Sequence, residues 1–290
     1  MMLPYIIHLL IMIGIYIILT MSLNVAVGFT GLLNLGHIAF FGIGAYTSAL
    51  LTMHGVPYFI ALVLAGVIAS LFGFVLVFAV RKLKGDYFAL ATLGFGFVIM
   101  SIFINWASLT RGPLGIPGIP RPSFFGLVMD SQLKYLLFTV IVTVIVVFFC
   151  WRLVRSSFGT LLQGVRDDEL GLRVLGKNTF MVKAKAMMVS AFFAGVAGSL
   201  FAHYLSFIDP SSFSLVEILL IFTMVIVGGI ASLKGSIVAP LIIVIIPELL
   251  RFLALPSSVL GPLRQILYAV ILLAILLLRP RGLFGRVDLQ

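Results

Sequence analysis

The sequence predicts an all-α integral membrane protein. We expect a polytopic bundle of about nine transmembrane helices (eight to ten), with a broken or re-entrant segment and a cytoplasmic coupling helix. Three observations predict it. The 290 residues are 62% hydrophobic and only 10% charged, whereas soluble domains carry about 25% charged residues. No Asp, Glu, Lys or Arg precedes Arg81. Apolar runs close to the ~20 residues that cross a bilayer recur along the whole chain. A surface this poor in charge needs lipid as its solvent, so residues 1–290 read as one membrane domain.

The elements follow in order. A first apolar run covers residues 5–27 and ends at Gly28. The second, 36–53, stops before "HGVP", where Gly55 and Pro57 disfavour further helix. The third, 57–80, ends at Arg81, Lys82 and Lys84. The fourth, 86–108, carries Gly94, Gly96 and Asn105. The loop "TRGPLGIPGIPRPS" follows, and its four prolines and three glycines exclude a regular helix. The fifth run is 133–154. The longest hydrophilic stretch, 155–185, separates it from the sixth, 186–207. "IDPSSFS" connects to the seventh, 215–227. "VGGIASLKGS" separates that from the eighth, 236–252. The ninth, 263–278, leads into the basic tail "RPRGLFGR".

Lys and Arg accumulate in the cytoplasmic loops of membrane proteins. Fourteen of the nineteen fall on one side of this layout: Arg81, Lys82, Lys84, Arg152, Arg155, Arg166, Arg173, Lys177, Lys183, Lys185, Lys234, Arg279, Arg281 and Arg286. Arg111, Arg121, Lys134, Arg251 and Arg264 fall on the other. The first side is expected to be cytoplasmic, with the C-terminus inside and, for nine spans, the N-terminus outside. The net charge of +10 is then orientation, not a nucleic-acid surface. The lone Cys150 excludes an internal disulfide framework and a multi-cysteine metal site. A cleaved signal peptide is not expected, because the start lacks a basic region and its apolar run is too long.

Residues 28–50, "GFTGLLNLGHIAFFGIGAYTSAL", break this apolar pattern with five glycines, an Asn, a His and hydroxyls. Irregular backbone at membrane depth persists only where protein buries it or a wet cavity receives it. Asn24, Gly28, Gly31, Asn34, Gly36 and His37 are therefore candidates for a translocation path. Close helix packing, with Asn and His as interhelical bonds, explains the same residues, and both readings stand. A second Gly-rich break, at 228–236, echoes the first, and paired breaks point to transport sites. In the sixth run Ala191, Gly195 and Ser199, and likewise Ala194, Gly198 and Ala202, recur every fourth residue. Such a face is a helix-packing scaffold or a subunit interface. Asp86, Glu217 and Glu248 lie near span ends, with Arg251 an i,i+3 partner for Glu248. A proton relay needs ionisable groups at mid-membrane, and none is expected there.

"SSFGTLLQGVRDDELGLRVLGKNTFMVK" holds Phe158, Leu161, Val165, Leu172 and Leu175 at roughly helical spacing. It predicts a short amphipathic helix on the cytoplasmic face. Glu169 and Arg173 form an i,i+4 pair, Gly176 is the stop, and Asn178 or Thr179 caps the next span. A helix lying on anionic lipid favours basic residues. Asp167, Asp168 and Glu169 in a row favour docking onto a cytoplasmic protein instead. Arg166, Asp167, Asp168, Glu169, Arg173 and Gly176 are the candidate coupling residues. No phosphate-cradling G-x-x-x-x-G-K-[ST] loop, H-E-x-x-H or nucleophile–base arrangement is present. No enzymatic activity, catalytic residue, metal or cofactor is expected, and ATP-driven work would need another chain.

"GFTGLLNLGHIAFFGIGAYTSALL", "GPLGIPGIP", "GVRDDELGLRVLG", "AHYLSFIDPSSFSL" and "VGGIASLKGSIVAPLIIVIIPELLR" together resemble the permease subunits of ATP-binding-cassette importers for branched-chain amino acids. The resemblance is closer to the LivM-like than to the LivH-like subunit and covers essentially the whole chain. It implies alternating access in a prokaryotic inner membrane. The partners it implies are a homologous LivH-like permease, two cytoplasmic ATPase subunits, an extracytoplasmic substrate-binding protein and membrane lipid. Glu169 and Gly176 fit the ends of such importers' coupling segment. Leu170, Gly171 and Leu172 depart from the alanines common between those ends. The same importer pattern serves urea, short amides and other amino acids. An ion-coupled secondary carrier, or a channel or scaffold subunit, are the rivals of another class.

Overall fold

The computed structural model of the chain describes residues 2–124, 127–129, 131–249, 257–279 and 281–285. Helix α1 (Met2–Asn24) runs on through a π turn, Val25–Phe29, and non-helical residues lead to α2 (His37–Met53). Pro57 precedes α3 (Tyr58–Ala79), which stops before Arg81. Then come α4 (Gly85–Asn105) and the single turn α5 (Ala107–Thr110). The Pro/Gly loop supplies β1 (Ile116–Pro117), β2 (Ser123–Phe124) and β3 (Leu127–Val128). The chain continues through α6 (Gln132–Val154), α7 (Ser157–Asp167), α8 (Glu169–Val174) and α9 (Thr179–Leu205). The strand β4 (Phe207–Ile208), α10 (Leu215–Gly228), α11 (Leu233–Leu249) and α12 (Ser257–Leu278) complete it.

Among the described residues, α1, α2, α3, α4, α6, α9, α10, α11 and α12 each have fourteen residues or more. Seven of the described helices are long and apolar enough to cross a bilayer, counting the turns that extend α1 and α10, and α2 is a shorter apolar helix. The protein is thus an all-α polytopic membrane protein, and nine longer helices among the described residues stand near the expected nine runs. The two small sheets have two residues in each strand. β1 pairs antiparallel with β4, Ile116 opposite Ile208, and ties the Pro/Gly loop to the end of α9.

α9 is the hub, packed against α2 and α3. Its small residues make this possible: Ala191, Ala194, Gly195, Gly198, Ser199 and Ala202 are all buried. A methyl group added at Gly195 would lie 2.6 Å from the Ala65 carbonyl oxygen, and one at Gly198 would overlap the backbone of Phe41. Gly44 meets the backbone of Gly195 in the same way. With no water to drive apolar helices together, backbone-to-backbone approach supplies the dispersion contacts. The small-residue face is therefore filled by the chain's own α2 and α3.

Side-chain caps start the polar region. Ser131 accepts from Leu133 N at α6, Ser156 from Gly159 N at α7, Asp168 from Gly171 N at α8 and Asn178 from Met181 N at α9. Each satisfies an N–H that the first helical turn leaves unpaired. Two expectations change here. The single amphipathic helix is two, α7 and α8, because Asp168 leaves helical geometry (φ −153°, ψ 92°) to cap the second. The sixth span begins at Thr179 rather than 186, so Lys183 and Lys185 sit on its first turns and not in a loop.

Candidate functional site

The two Gly-rich breaks meet. Asn24, fully buried at the end of α1, accepts from the backbone N–H of Ala231 at 3.0 Å. Its amide donates to the Ser232 carbonyl (3.1 Å) and to Ser236 Oγ (2.7 Å). Gly28 lies under this contact, where a methyl would stand 2.5 Å from Ala231 N. After the π turn, Leu32 N reaches back to Ala26 O at 2.9 Å and Thr30 Oγ1 donates to Val25 O at 2.9 Å. One freed carbonyl, Gly28 O, accepts from Arg166 Nη1 at 2.9 Å. Gly31, at φ +73°, turns the chain with the Arg166 side chain against it.

The rest of the first break is bolted to its neighbours. Leu35 N donates to Thr92 Oγ1 on α4 at 3.0 Å. Asn34 Oδ1 accepts from Gly36 N at 3.2 Å, and Asn34 Nδ2 approaches the sulfur of Met187 on α9 at 3.4 Å. Gly36 lies tight against the Thr92 carbonyl. His37 Nε2 is 2.9 Å from Ser22 Oγ, and Ser190 Oγ donates to Ser22 O at 2.7 Å. Asn24, Asn34 and His37 therefore spend polar atoms on bonds within the chain.

The coupling candidates divide. Arg166 points inward to Gly28, with Nε 2.8 Å from Asp167, and is 17% exposed where Asp167 is 63% exposed. Glu169 also points inward, 2.7 Å from Lys183 Nζ on α9, and it accepts from Arg173 and from Thr179. Partial burial pushes the Glu169 carboxyl upward. The bonds from Lys183, Thr179 and Arg173 outweigh it and hold the group below the ordinary carboxylate range. Gly176, at φ +71°, ends α8. A cavity of about 160 Å³ between the break and this segment is lined by Gly31, Lys84, Arg166, Glu169 and Lys183 among others.

The outward surface is made mostly of residues the periodicity did not single out. Leu170 and Val174 are exposed, and so is Leu175, which the spacing placed on the apolar face. Leu172, by contrast, packs beside Gly164. A second buried polar cluster also escaped notice. Ser48 Oγ and Ser199 Oγ are 2.6 Å apart, and Thr52 Oγ1 is 3.1 Å from His203 Nε2. The signal was there in paired i,i+4 polar residues on two apolar helices. At the other end of the bundle Tyr16 donates to Glu217 at 3.2 Å, Tyr5 to Glu248, and Arg264 bonds Glu248 at 3.0 Å. The expected partner Arg251 lies outside the described residues.

Fold and site define a multi-pass membrane protein whose buried helix breaks are tied to a polar helical pair at one end. Residues 5–277 match the model of the family described as branched-chain amino acid transport system / permease component, and the chain belongs to that family. It is 38% identical to the high-affinity branched-chain amino acid transport system permease protein LivM of Escherichia coli (strain K12), over 82% of this chain and 61% of that protein. It is 25% identical to the probable branched-chain amino acid transport permease protein LivM of Methanocaldococcus jannaschii, over 93% and 90%. The permease protein LivH of E. coli K12 is 28% identical over 95% and 92%. The chain thus spans 61% of the length of its E. coli LivM relative. No solved structure matches it.

Proposed function

We propose that the chain is the LivM-like permease subunit of an ATP-driven importer of branched-chain amino acids. It forms half of the path, pairs with a LivH-like permease, and sits in a prokaryotic inner membrane with its C-terminus in the cytoplasm. ATP is hydrolysed by two separate cytoplasmic subunits, and a binding protein delivers substrate from outside. The basic end supports this sidedness: Lys84, Arg166 and Lys183 line one cavity there, and Gly229 packs on Gly285 at the chain's end.

The single observation that carries the mechanism is the bond from Arg166 to Gly28 O. It joins the polar segment that an ATPase would grip to the helix break that a substrate would pass. Glu169 adds a second strut, through Lys183, to α9. A displacement of α7 and α8 by the ATPases would then move both the break and the hub helix, as alternating access requires. Asp167, Asp168, Leu170 and Val174 form the surface offered to the ATPase, while Arg166, Glu169 and Arg173 transmit.

The test is uptake of labelled leucine into proteoliposomes holding the purified complex. Uptake should need ATP and the ATPase subunits and survive collapse of ion gradients. Gradient-driven uptake without the ATPases would overturn the proposal in favour of a secondary carrier.

A further inference from the structure

A cavity of about 280 Å³ lies within the bundle between α1, α2, α9 and α10. Its walls are mostly apolar, with Leu19, Ile38, Phe41 and Ile221 among them, and Tyr16, Ser212 and Glu217 are its polar lining. Two of these polar groups bond each other. The Tyr16 hydroxyl donates to Glu217 Oε2 at 3.2 Å. Among the described residues no cation stands within ion-pair distance of Glu217, although Glu248, the other glutamate at this end, has Arg264. Glu217 stands in the first turn of α10 and faces the apolar walls of this cavity; a carboxyl there either takes up a proton or pairs with a cation, because one hydroxyl does not replace its lost hydration.

We infer that this cavity is a substrate subsite, with Glu217 receiving the α-ammonium group of an aliphatic amino acid. The inference rests on the transport reading above and adds to it where and how the substrate is held. Size agrees: about 280 Å³ is close to the low end of small-ligand sites, roughly 300 Å³. Chemistry agrees as well. The carboxylate and phenol mark the charged end, and the four aliphatic and aromatic walls accept a branched hydrocarbon side chain. Position agrees too. Ile38 directly follows His37, where the first break ends, and Phe201 on the wall belongs to α9, the helix strutted to Glu169 through Lys183. A motion of the coupling segment would therefore reshape this cavity.

The experiment uses the purified permease–ATPase complex in nanodiscs, with labelled leucine binding as the readout and its melting temperature as a folding control. Isoamylamine keeps the ammonium and side chain of leucine, and 4-methylpentanoate keeps the carboxylate and side chain. Isoamylamine should compete with leucine and 4-methylpentanoate should not. Glu217→Gln should weaken leucine binding roughly tenfold or more, the scale of one lost charge-assisted bond, and abolish isoamylamine competition. Ile221→Trp, which fills the cavity without touching the carboxylate, should block leucine binding independently. Unchanged leucine binding and unchanged amine competition in Glu217→Gln would overturn the subsite, as would leucine binding undiminished by Ile221→Trp. So would uptake by the wild type that stops with a proton ionophore, which would make Glu217 a proton site. A wild-type complex that neither binds nor transports leucine would instead bring down the function on which the inference rests.

Discussion

Asn24 and Ala231 are 207 residues apart in sequence, yet the side-chain oxygen of one accepts the backbone N–H of the other at 3.0 Å. This bond locks the two helix breaks together at full burial. Asn24→Leu keeps the volume and removes every bond. The Ala231 N–H would be orphaned where water is scarce, at about 1–3 kcal/mol, while the Ser232 carbonyl keeps its bonds from Ser236. The variant should unfold at clearly lower SDS fractions than the wild type in mixed micelles. Equal unfolding midpoints would show that the clamp contributes nothing.

The hub helix makes a steric prediction. Gly44 has the Gly195 backbone where its side chain would be, whereas Gly94 faces open space. Gly44→Ala should destabilise by about 1–3 kcal/mol through overpacking. Gly94→Ala should be neutral or slightly stabilising, since alanine is the better helix former. A matched pair of melting curves in detergent decides it, and similar curves for the two variants would contradict the packing.

Glu169 makes a pH prediction. Its carboxyl is held below the ordinary range, against the upward push of partial burial, by Lys183, Thr179 and Arg173. A depressed folded value means stabilisation that is complete above the ordinary glutamate value, about 4.3. It disappears as pH falls through the folded value. The stability gap between wild type and Glu169→Gln should therefore be widest near neutral pH and shrink only in acid. A gap independent of pH between 7 and 3 would remove the ion pairs from the explanation.

Arg166 makes a transport prediction. Arg166→Ala removes the bond to Gly28 O and the pair with Asp167 while leaving Asp168, Leu170 and Val174 of the docking surface in place. Leucine moved per ATP hydrolysed should fall, on the order of tenfold for one charge-assisted bond, with the ATPases still bound. Coupled transport is measured in proteoliposomes and assembly by co-purification. Normal coupling with normal assembly would leave the bond a purely structural one.

Much of the architecture was legible beforehand. The apolar runs, apart from the earlier start of the sixth, and the Pro/Gly loop and the small-residue face of α9 appear among the described residues close to where composition and spacing put them. So does the Glu169–Arg173 pair. The break at Asp168 was not foreseen, because an aspartate three residues before Gly171 competes as a helix cap only once the chain has a reason to turn there. The inward direction of Arg166 and Glu169 was also hidden. Their targets, Gly28 O and Lys183, lie on the π turn after α1 and on α9, and no local periodicity points to them.

The sequence by itself determined the solvent, the helical class and the run lengths, and it held the charge asymmetry from which sidedness is argued. Those are sums over residues, and the transfer of apolar surface and charge into lipid depends on such sums. Only the tertiary structure decided which of the few polar groups meet: Asn24 with Ala231, Arg166 with Gly28, Tyr16 with Glu217. Helices that are apolar all round carry little record of which face turns inward. Their polar partners were chosen by close backbone packing around α9 and by the need of every buried donor and acceptor for a mate.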